Sequence, residues 1–485
     1  MIALLCTLCT PLAAIFILAL FGGKPNAGKI NVVFSGLTFL ASLGIAIMVF
    51  NQGSVLLFHE QFYFDSLNIC FLILTTFILM TTAVFSHRYL RYQVIAGKIS
   101  NTSYRLYHVL YQVFALMMLL VLTTNNIGTL WVAMEGATLA TALLVGLYHT
   151  PEAIEAAWKY FILCIVGIAL ALFGTICVYF SAHNVIAQND KYALFWTVLH
   201  ENAHLLNPQV LAIAFVFLFV GYGTKVGLVP MHYWLPDAHS ESPAPMSALL
   251  SGLLLNLGLY AILRFKIIIE PALGSHLINS LMMTFGLISF MVAAFLMYRQ
   301  KDIKRMFSYS SIEHMGLITF AFGLGNTTAT FAALLYLIVH SLIKSAIFMN
   351  VGDVIMVMKT QNMDKMRGLI QLQPLIGWGL LISTLAILGL PPFGIFISEL
   401  LILISTIQQH WWLALIIILG LLISIAGILK NLHPVIYGKS SSPTYLGKIS
   451  STPVVLHLAL ALCLGLYVPA WLIHILQQAT NLLTH

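Results

Sequence analysis

Four ionisable residues interrupt runs that are otherwise apolar: Glu135 in "LWVAMEGATLATALLVGLY", Lys225 in "GYGTKVGLVP", Lys344 in "HSLIKSAIF" and Glu399 in "FGIFISELLILIS". A carboxylate or ammonium at the centre of a bilayer costs at least about 2.5–3.5 kcal/mol on insertion scales, so each needs a partner, a wet cavity or a use. The use open to lysines and carboxylates in that setting is proton transfer, because burial and a neighbouring opposite charge push their protonation in opposing directions. The competing reading is a set of polar clasps or ion pairs between helices. Neutral hydrogen bonds inside membranes return only about 0.6 kcal/mol on average, a small gain against an insertion cost met four times. The pattern therefore favours an intramembrane proton relay.

Histidines fill the intervals between these charges. His232, His239, His314 and His340 lie in or beside the same segments, and imidazole can donate and accept a proton near neutral pH. His340 and Lys344 are four residues apart and share one helix face. Asp237 and Glu313, next to His239 and His314, are further candidate relay groups. A zinc or iron site at His232 and His239 is not expected, because Pro236 breaks the helix that would align them. Cys6 and Cys9 form a CxxC, but "LLCTLCTPL" offers no polar partners, so both are expected to be small core residues.

The elements that position these groups must cross a membrane. Hydrophobic residues make up 60% of the 485, charged residues 8%, and the mean hydropathy is +0.97, the composition of an all-α polytopic membrane protein. A net charge of +7 is compatible with nucleic-acid binding, but the Lys and Arg sit in short loops between apolar runs, where topology explains them. Runs of about 20 apolar residues predict fourteen spans, near 2–22, 30–50, 66–86, 107–124, 127–148, 159–182, 209–230, 244–264, 275–298, 306–324, 328–357, 375–410, 411–432 and 453–478. The first has no basic residue ahead of it and no small-residue cleavage site after it, and reads as a retained helix. The seventh is broken at Pro230 and Pro236, and the twelfth at Pro391 and Pro392, since proline removes a backbone donor and clashes with the preceding turn. Broken backbone at membrane depth survives only inside protein or beside a hydrated cavity.

Charge bias orients this arrangement. Of 22 Lys and Arg, 17 fall in loops after odd-numbered spans, including Lys24, Arg88, Lys159, Lys301, Lys365 and Lys448. Loops after even-numbered spans hold Lys191, Lys266 and the flanking Arg264. Only Lys225 and Lys344 remain for the membrane interior, and both chain ends are expected on the outer side. No P-loop, dinucleotide fingerprint, iron–sulfur cysteine framework or sizeable soluble segment occurs, so no cofactor is expected in this chain. The free energy for transport would come from partner subunits.

The stretches "GTKVGLVPMHYWLPDAHSESPAPMSALLSG" (223–252), "KDIKRMFSYSSIEHMG" (301–316), "HSLIKSAIF" (340–348) and "GLPPFGIFISE" (389–399) resemble the antiporter-like membrane subunits of respiratory complex I, multi-subunit cation/proton antiporters and membrane-bound hydrogenases. With "MEGATLATALLVGLY" and "EAAWKYFILCIVGIALALFGT", the wording is most similar to the hydrogenase-4-type, formate-hydrogenlyase-like branch, along nearly the whole chain. The resemblance implies fourteen core helices with two inverted five-helix repeats and broken helices 7 and 12. This divides the chain into 1–106 (helices 1–3), 107–264 (helices 4–8), 265–432 (helices 9–13) and 433–485 (helix 14). It further implies that Glu135 pairs with Lys225, and that His340, Lys344 and Glu399 continue the proton path.

Where many relatives carry a central Lys or His, this chain has "LLLN" with Asn256, which cannot carry a proton in this range. About seven residues follow the last span, so no long lateral helix is expected. The implied function is proton translocation in an inner-membrane oxidoreductase complex, with other membrane subunits, lipid and a peripheral nickel–iron or iron–sulfur redox module as partners. A sodium/proton antiporter module and a proton-conducting partner of a soluble inorganic-carbon uptake enzyme are the alternatives.

Overall fold

The structure is a computed structural model, and it describes residues 2–183, 185, 192–439 and 451–484. Lys191 and Lys448, used above for topology, lie outside the described residues. The chain begins with α1 (Ile2–Phe21) and α2 (Ala27–Gln52), followed by a hairpin of β1 (Val55–Leu57) and β2 (Phe62–Phe64) that pairs Val55 with Phe64. Next come α3 (Ser66–Ile95), α4 (Asn101–Thr123), α5 (Ile127–Val145), α6 (Pro151–His183), the short α7 (Trp196–Glu201) and α8 (Pro208–Val226). After a break, α9 (Trp234–Glu241) and α10 (Ala244–Leu249) lead through a π-helical turn at Leu250–Leu254 into α11 (Leu255–Leu273). The remainder is α12 (Ser275–Met297), α13 (Ile303–Gly323), α14 (Thr327–Met358), α15 (Leu369–Leu372), α16 (Pro374–Ile387), α17 (Gly394–Tyr437), α18 (Thr452–Leu466) and α19 (Ala470–Thr484).

Among the described residues, eleven helices are long and apolar enough to cross a membrane, or twelve if α18 and α19, bent by 78°, are one span. The difference from fourteen has local causes. The 21-residue α13 carries "KRMFSYSSIEH", too polar for a span by composition. The 44-residue α17 joins two helices at a kink with non-helical backbone at His410, close to the boundary read between the twelfth and thirteenth spans. Its apolar forerunner α16 is a half-length piece.

Several helices outrun the hydropathy windows that predicted them. Helix α3 continues to Ile95, α6 starts at Pro151 and α11 ends at Leu273, so Arg88, Arg91, Lys159, Arg264 and Lys266, assigned to loops, are helical. Arg264 and Lys266 are moreover buried. Short polar side chains start the helices where sequence places them: Asn126 accepts from the Gly128 and Thr129 amides at 2.8 and 3.0 Å, and Asn326 from Ala329 at 2.7 Å. Asp65 and Asn68 form a reciprocal capping box on α3.

With lipid on the outside, packing rather than hydrophobic collapse joins the helices, and small residues permit close approach. Gly221 of α8 lies against Gly167 and Ala171 of α6, where an added Cβ would come within 2.6 Å of backbone atoms. Gly286 of α12 and Gly316 of α13 cross in the same way. The run from α10 through α11 is wholly buried over its apolar window, and α14 nearly so, whereas α1 and α2 are mostly exposed. Cys6 and Cys9 are exposed on α1, correcting the expectation of core residues: three apart, they share the outward face of a peripheral helix. Helix α14 is the hub, touching α3, α10, α13, α16, α17, α18 and α19.

Candidate functional site

The first break follows Lys225. Gly227, at φ +82°, ends α8 in a left-handed cap, and the Leu228 amide donates back to the Gly223 carbonyl at 3.0 Å. The indole of Trp234 donates to the Thr224 carbonyl at 2.8 Å, so a helix end inside the protein keeps its hydrogen bonds. Lys225 is fully buried in that last turn, against the partial negative charge of the helix end. Its ammonium donates to Thr138 Oγ1 on α5 and lies 5.7 Å from the Tyr160 ring centre. Gly258 of α11 lets this happen, since a Cβ there would sit 2.9 Å from Lys225 Cβ.

Glu135 stands one turn before Thr138 on α5, and its Oε2 is buried with no hydrogen-bond partner. The Glu135–Lys225 ion pair implied by the resemblance is not formed in this conformation; the hydroxyl of Thr138 takes the lysine instead.

The polar groups that follow the first break separate into two kinds. His232 and His239 are buried, the first against the Tyr233 ring at 4.4 Å and the second stacked on Phe348 of α14 at 4.5 Å. Neither ring nitrogen of His239 has a partner. Asp237 instead faces the rim, where it accepts from Arg305 at 2.6 Å and Lys159 at 3.3 Å and ties α9 to α13 and α6.

Between the halves, Asn256 donates to Ser341 Oγ of α14 at 2.6 Å and to the Gly252 carbonyl at 3.0 Å, with its own Oδ1 unpartnered. It follows directly on the π-helical turn, a local widening that frequently marks functional positions.

The second half gathers the most groups. Tyr336, His340 and Lys344 repeat every four residues along one face of α14, all fully buried. Lys344 donates to the Phe307 carbonyl at 2.9 Å, and neither nitrogen of His340 is bonded. The His340 ring centre is 5.5 Å from that of His314 on α13. His314 Nδ1 lies 2.6 Å from the Tyr336 hydroxyl, which donates to Glu399 Oε1 at 2.7 Å. Next to His314, Glu313 accepts from Ser424 of α17 at 2.5 Å. Glu399 lies in the second turn after the break, and Gly389, at φ +65°, folds directly over its carboxylate: a Cβ there would fall 2.1 Å from Oε2.

Arg264, Asp65, Asp353 and Lys266, also buried, are in ion pairs. Arg264 makes a two-pronged bridge to Asp65 at 2.6 and 2.8 Å, with the Trp196, Tyr260 and Tyr63 ring centres 4.6, 5.1 and 5.7 Å from its guanidinium. Arg88 reaches the buried Asp353 at 2.5 Å, and Lys266 holds Glu270. Glu135, Lys225, Lys344 and Glu399 are in no ion pair with a described residue, and neither are Glu313, which accepts from Ser424, and Lys304, which donates to the Ser240 and Ser242 carbonyls. No grouping of three or more His, Cys, Asp or Glu able to hold a metal ion occurs among the described residues.

Residues 124–424, more than half of the chain, match the family model described as NADH:quinone oxidoreductase/Mrp antiporter, transmembrane. The chain belongs to this antiporter family. Within it, a hydrogenase-4 component F homolog from Methylacidiphilum infernorum (isolate V4) is 43% identical over 473 residues, covering 98% of each chain. NADH-quinone oxidoreductase subunit M of Rhodobacter capsulatus is 25% identical over 88% of this chain and 85% of its own. Two solved structures share the fold. A chain of the archaeal membrane-bound sulfane sulfur reductase has a TM-score of 0.88 at 22% identity, covering 100% and 98% of the two chains. A chain of Thermus thermophilus respiratory complex I has 0.82 at 21%, covering 99% of both.

The resemblance read from the motifs is therefore established, and this member of the antiporter family is a multi-span, antiporter-like membrane protein. Sequence reasoning missed Thr138, Tyr336 and Ser424. Tyr336 had a readable signal, being one helical turn before His340 on the face already marked by "HSLIK". Thr138 and Ser424 had none, since hydroxyls occur throughout these helices and only the fold aims these two at a lysine and a glutamate.

Proposed function

We propose that this chain is the proton-translocating subunit of a multi-subunit respiratory or hydrogenase-type complex in a bacterial inner membrane. Its other membrane subunits and a peripheral nickel–iron or iron–sulfur module complete the complex, and no cofactor resides in this chain. Both chain ends face outward, and helices 4–8 and 9–13 form two inverted repeats, one around each broken helix. Protons enter a half-channel, rest on Lys225 and Lys344, pass His340, and leave near Glu399, with His232 and His239 serving the inner mouth.

One observation carries the reading: the buried charges divide into paired and unpaired sets. A buried charge left without its counter-ion is strongly destabilising, so structural charges come paired, as Asp65 with Arg264, Arg88 with Asp353 and Lys266 with Glu270. Of the interior charges left outside ion pairs among the described residues, Lys304 is tied to the Ser240 and Ser242 carbonyls and Glu313 to Ser424, while Glu135, Lys225, Lys344 and Glu399 stand on the broken helices 7 and 12 and on the two helices facing them. Thr138 and Glu135 lie three residues apart on one face of α5 and offer Lys225 two alternative partners. Docked on Thr138 it faces a neutral oxygen; swung to Glu135 it faces a negative charge. That exchange controls when the lysine gives up its proton. Asn256 and Ser341 link the two halves without titrating themselves.

The test is proton translocation by the assembled complex, followed as acidification of inverted membrane vesicles during redox turnover. Lys225→Ala and Glu135→Gln should each abolish it while the complex still assembles. Unchanged pumping in both variants sinks the relay. Repeating the assay with and without sodium separates a proton pump from a sodium/proton antiporter.

A further inference from the structure

We infer that Tyr336 is a proton-relay residue, the hydroxyl through which a proton passes from His314 on α13 to Glu399 on α17. The inference rests on the proton-translocating reading above and adds a residue that its charged and imidazole groups did not include.

Three helices converge on one buried phenol. Tyr336 is fully buried, and its hydroxyl makes two short contacts, 2.6 Å to His314 Nδ1 and 2.7 Å to Glu399 Oε1. A carboxylate offers only acceptors, so the tyrosine O–H is committed to Glu399. The phenol oxygen is then the acceptor for His314, whose Nδ1 must carry hydrogen and whose Nε2 is left as the proton-accepting atom. Each group in the series has its donor and acceptor pointing the same way, from imidazole to carboxylate.

The transfer balances. A proton arriving at His314 Nε2 forms an N–H bond there; the Nδ1–H bond breaks as its proton moves to the tyrosine oxygen; the original tyrosine O–H bond breaks as that proton moves to Glu399. One proton has entered at the ring and one now sits on the carboxyl. Tyr336 is again a neutral phenol, no electrons have changed hands, and His314 is in its other tautomer. Return of the ring to the Nδ1–H form after Glu399 discharges resets the series. His340 is the donor upstream, with its ring 5.5 Å from that of His314, both nitrogens unbonded, and Lys344 four residues along the same helix face. Glu399 discharges next to the broken backbone, where Gly389 crosses its carboxylate.

A phenol holding three helices together could also be a clasp, so the variants must separate passing a proton from holding a shape. Tyr336→Phe keeps the ring and removes one oxygen; Tyr336→His restores a group that can donate and accept. In inverted vesicles carrying the assembled complex, Tyr336→Phe should lower proton translocation about a hundred-fold, the scale of a positioned proton-transfer group. Tyr336→His should recover a measurable part of it. Wild-type pumping in Tyr336→Phe while Lys225→Ala is inactive overturns the relay role and leaves the wider reading standing. Wild-type pumping in Lys225→Ala overturns both. A loss in Tyr336→Phe that Tyr336→His does not relieve makes the phenol a clasp and overturns the inference. Should Tyr336→Phe fail to assemble, Glu399→Asp decides: it withdraws the carboxylate by one methylene from an untouched phenol, and pumping at the wild-type rate would rule out the direct hop.

Discussion

At the scale of single residues, the distinction that matters is between a charge that holds the protein together and one that is kept available. Arg264 is committed: two hydrogen bonds to Asp65, three aromatic rings around it and burial leave it nothing else to do. Asp65→Asn keeps a side chain able to cap α3 but leaves the guanidinium without its counter-charge. We expect a loss of about 3–5 kcal/mol, the usual cost of breaking a buried pair from one side, read as a lower thermal transition of the solubilised complex. Lys225 should behave in the opposite way. Its removal orphans no carboxylate, and the Thr138 hydroxyl keeps its bond to the Met134 carbonyl, so Lys225→Ala should leave the thermal transition within a few degrees of wild type or raise it. A drop as large as that of Asp65→Asn would make Lys225 a structural charge.

At the scale of elements, the breaks are built, not merely tolerated. After α8 the chain turns through Gly227 and hands an orphan carbonyl to Trp234. After α16 it turns through Gly389 at φ +65°, in contact with Glu399. Both breaks therefore put a charged residue beside a left-handed backbone bend that favours glycine. Gly389→Ala adds a methyl where the Glu399 carboxylate now lies and demands a left-handed alanine, a strain of about 1–3 kcal/mol. It should displace the carboxylate and lower proton translocation at least about ten-fold, since small misplacements at a reacting group carry large rate penalties. Gly36→Ala, on the outer part of the bundle with open space around it, is the control and should be silent. Equal behaviour of the two would remove Gly389 from the functional account.

At the scale of the whole molecule, polarity of loops and depth of helices make one prediction about sidedness. Lys301 and Lys365 are exposed, and Lys301 bridges to Asp364 at 3.1 Å, so the two positions share one face. On the proposed topology, the excess of Lys and Arg puts that face in the cytoplasm. In a variant without native cysteines, Lys301→Cys and Lys365→Cys should react with a membrane-impermeant maleimide only in inverted vesicles, and Glu201→Cys only in right-side-out ones. The same side for all three would overturn the topology. Removing native cysteines is required because Cys6, Cys9 and Cys463 are exposed, the first two on a helix that lies at the edge of the bundle.

The sequence by itself determined the class of protein, the breaks at Pro230 and at Pro391–Pro392, the four charges in hydrocarbon and the family. Each of these depends on composition or on spacing within one segment: a proline removes a backbone donor wherever it packs, and a lysine in a twenty-residue apolar run is costly in any arrangement. Pro236, expected to break the chain as well, lies instead in the first turn of α9, where a proline's missing amide costs no helical hydrogen bond. Helix ends beyond the apolar windows were not legible, because a helix continues past the membrane as long as its caps and neighbours allow. Only the tertiary structure decided which charges are neutralised. Arg264 finds Asp65 across 199 positions and Arg88 finds Asp353 across 265. Lys225, with a glutamate one turn from its docking point, rests on Thr138 instead. Tyr336 became more than another apolar-stripe aromatic only when α13, α14 and α17 brought a histidine and a glutamate to the same hydroxyl. Pairing is a property of side chains from different helices meeting at hydrogen-bond distance, and no local pattern records which helices will meet.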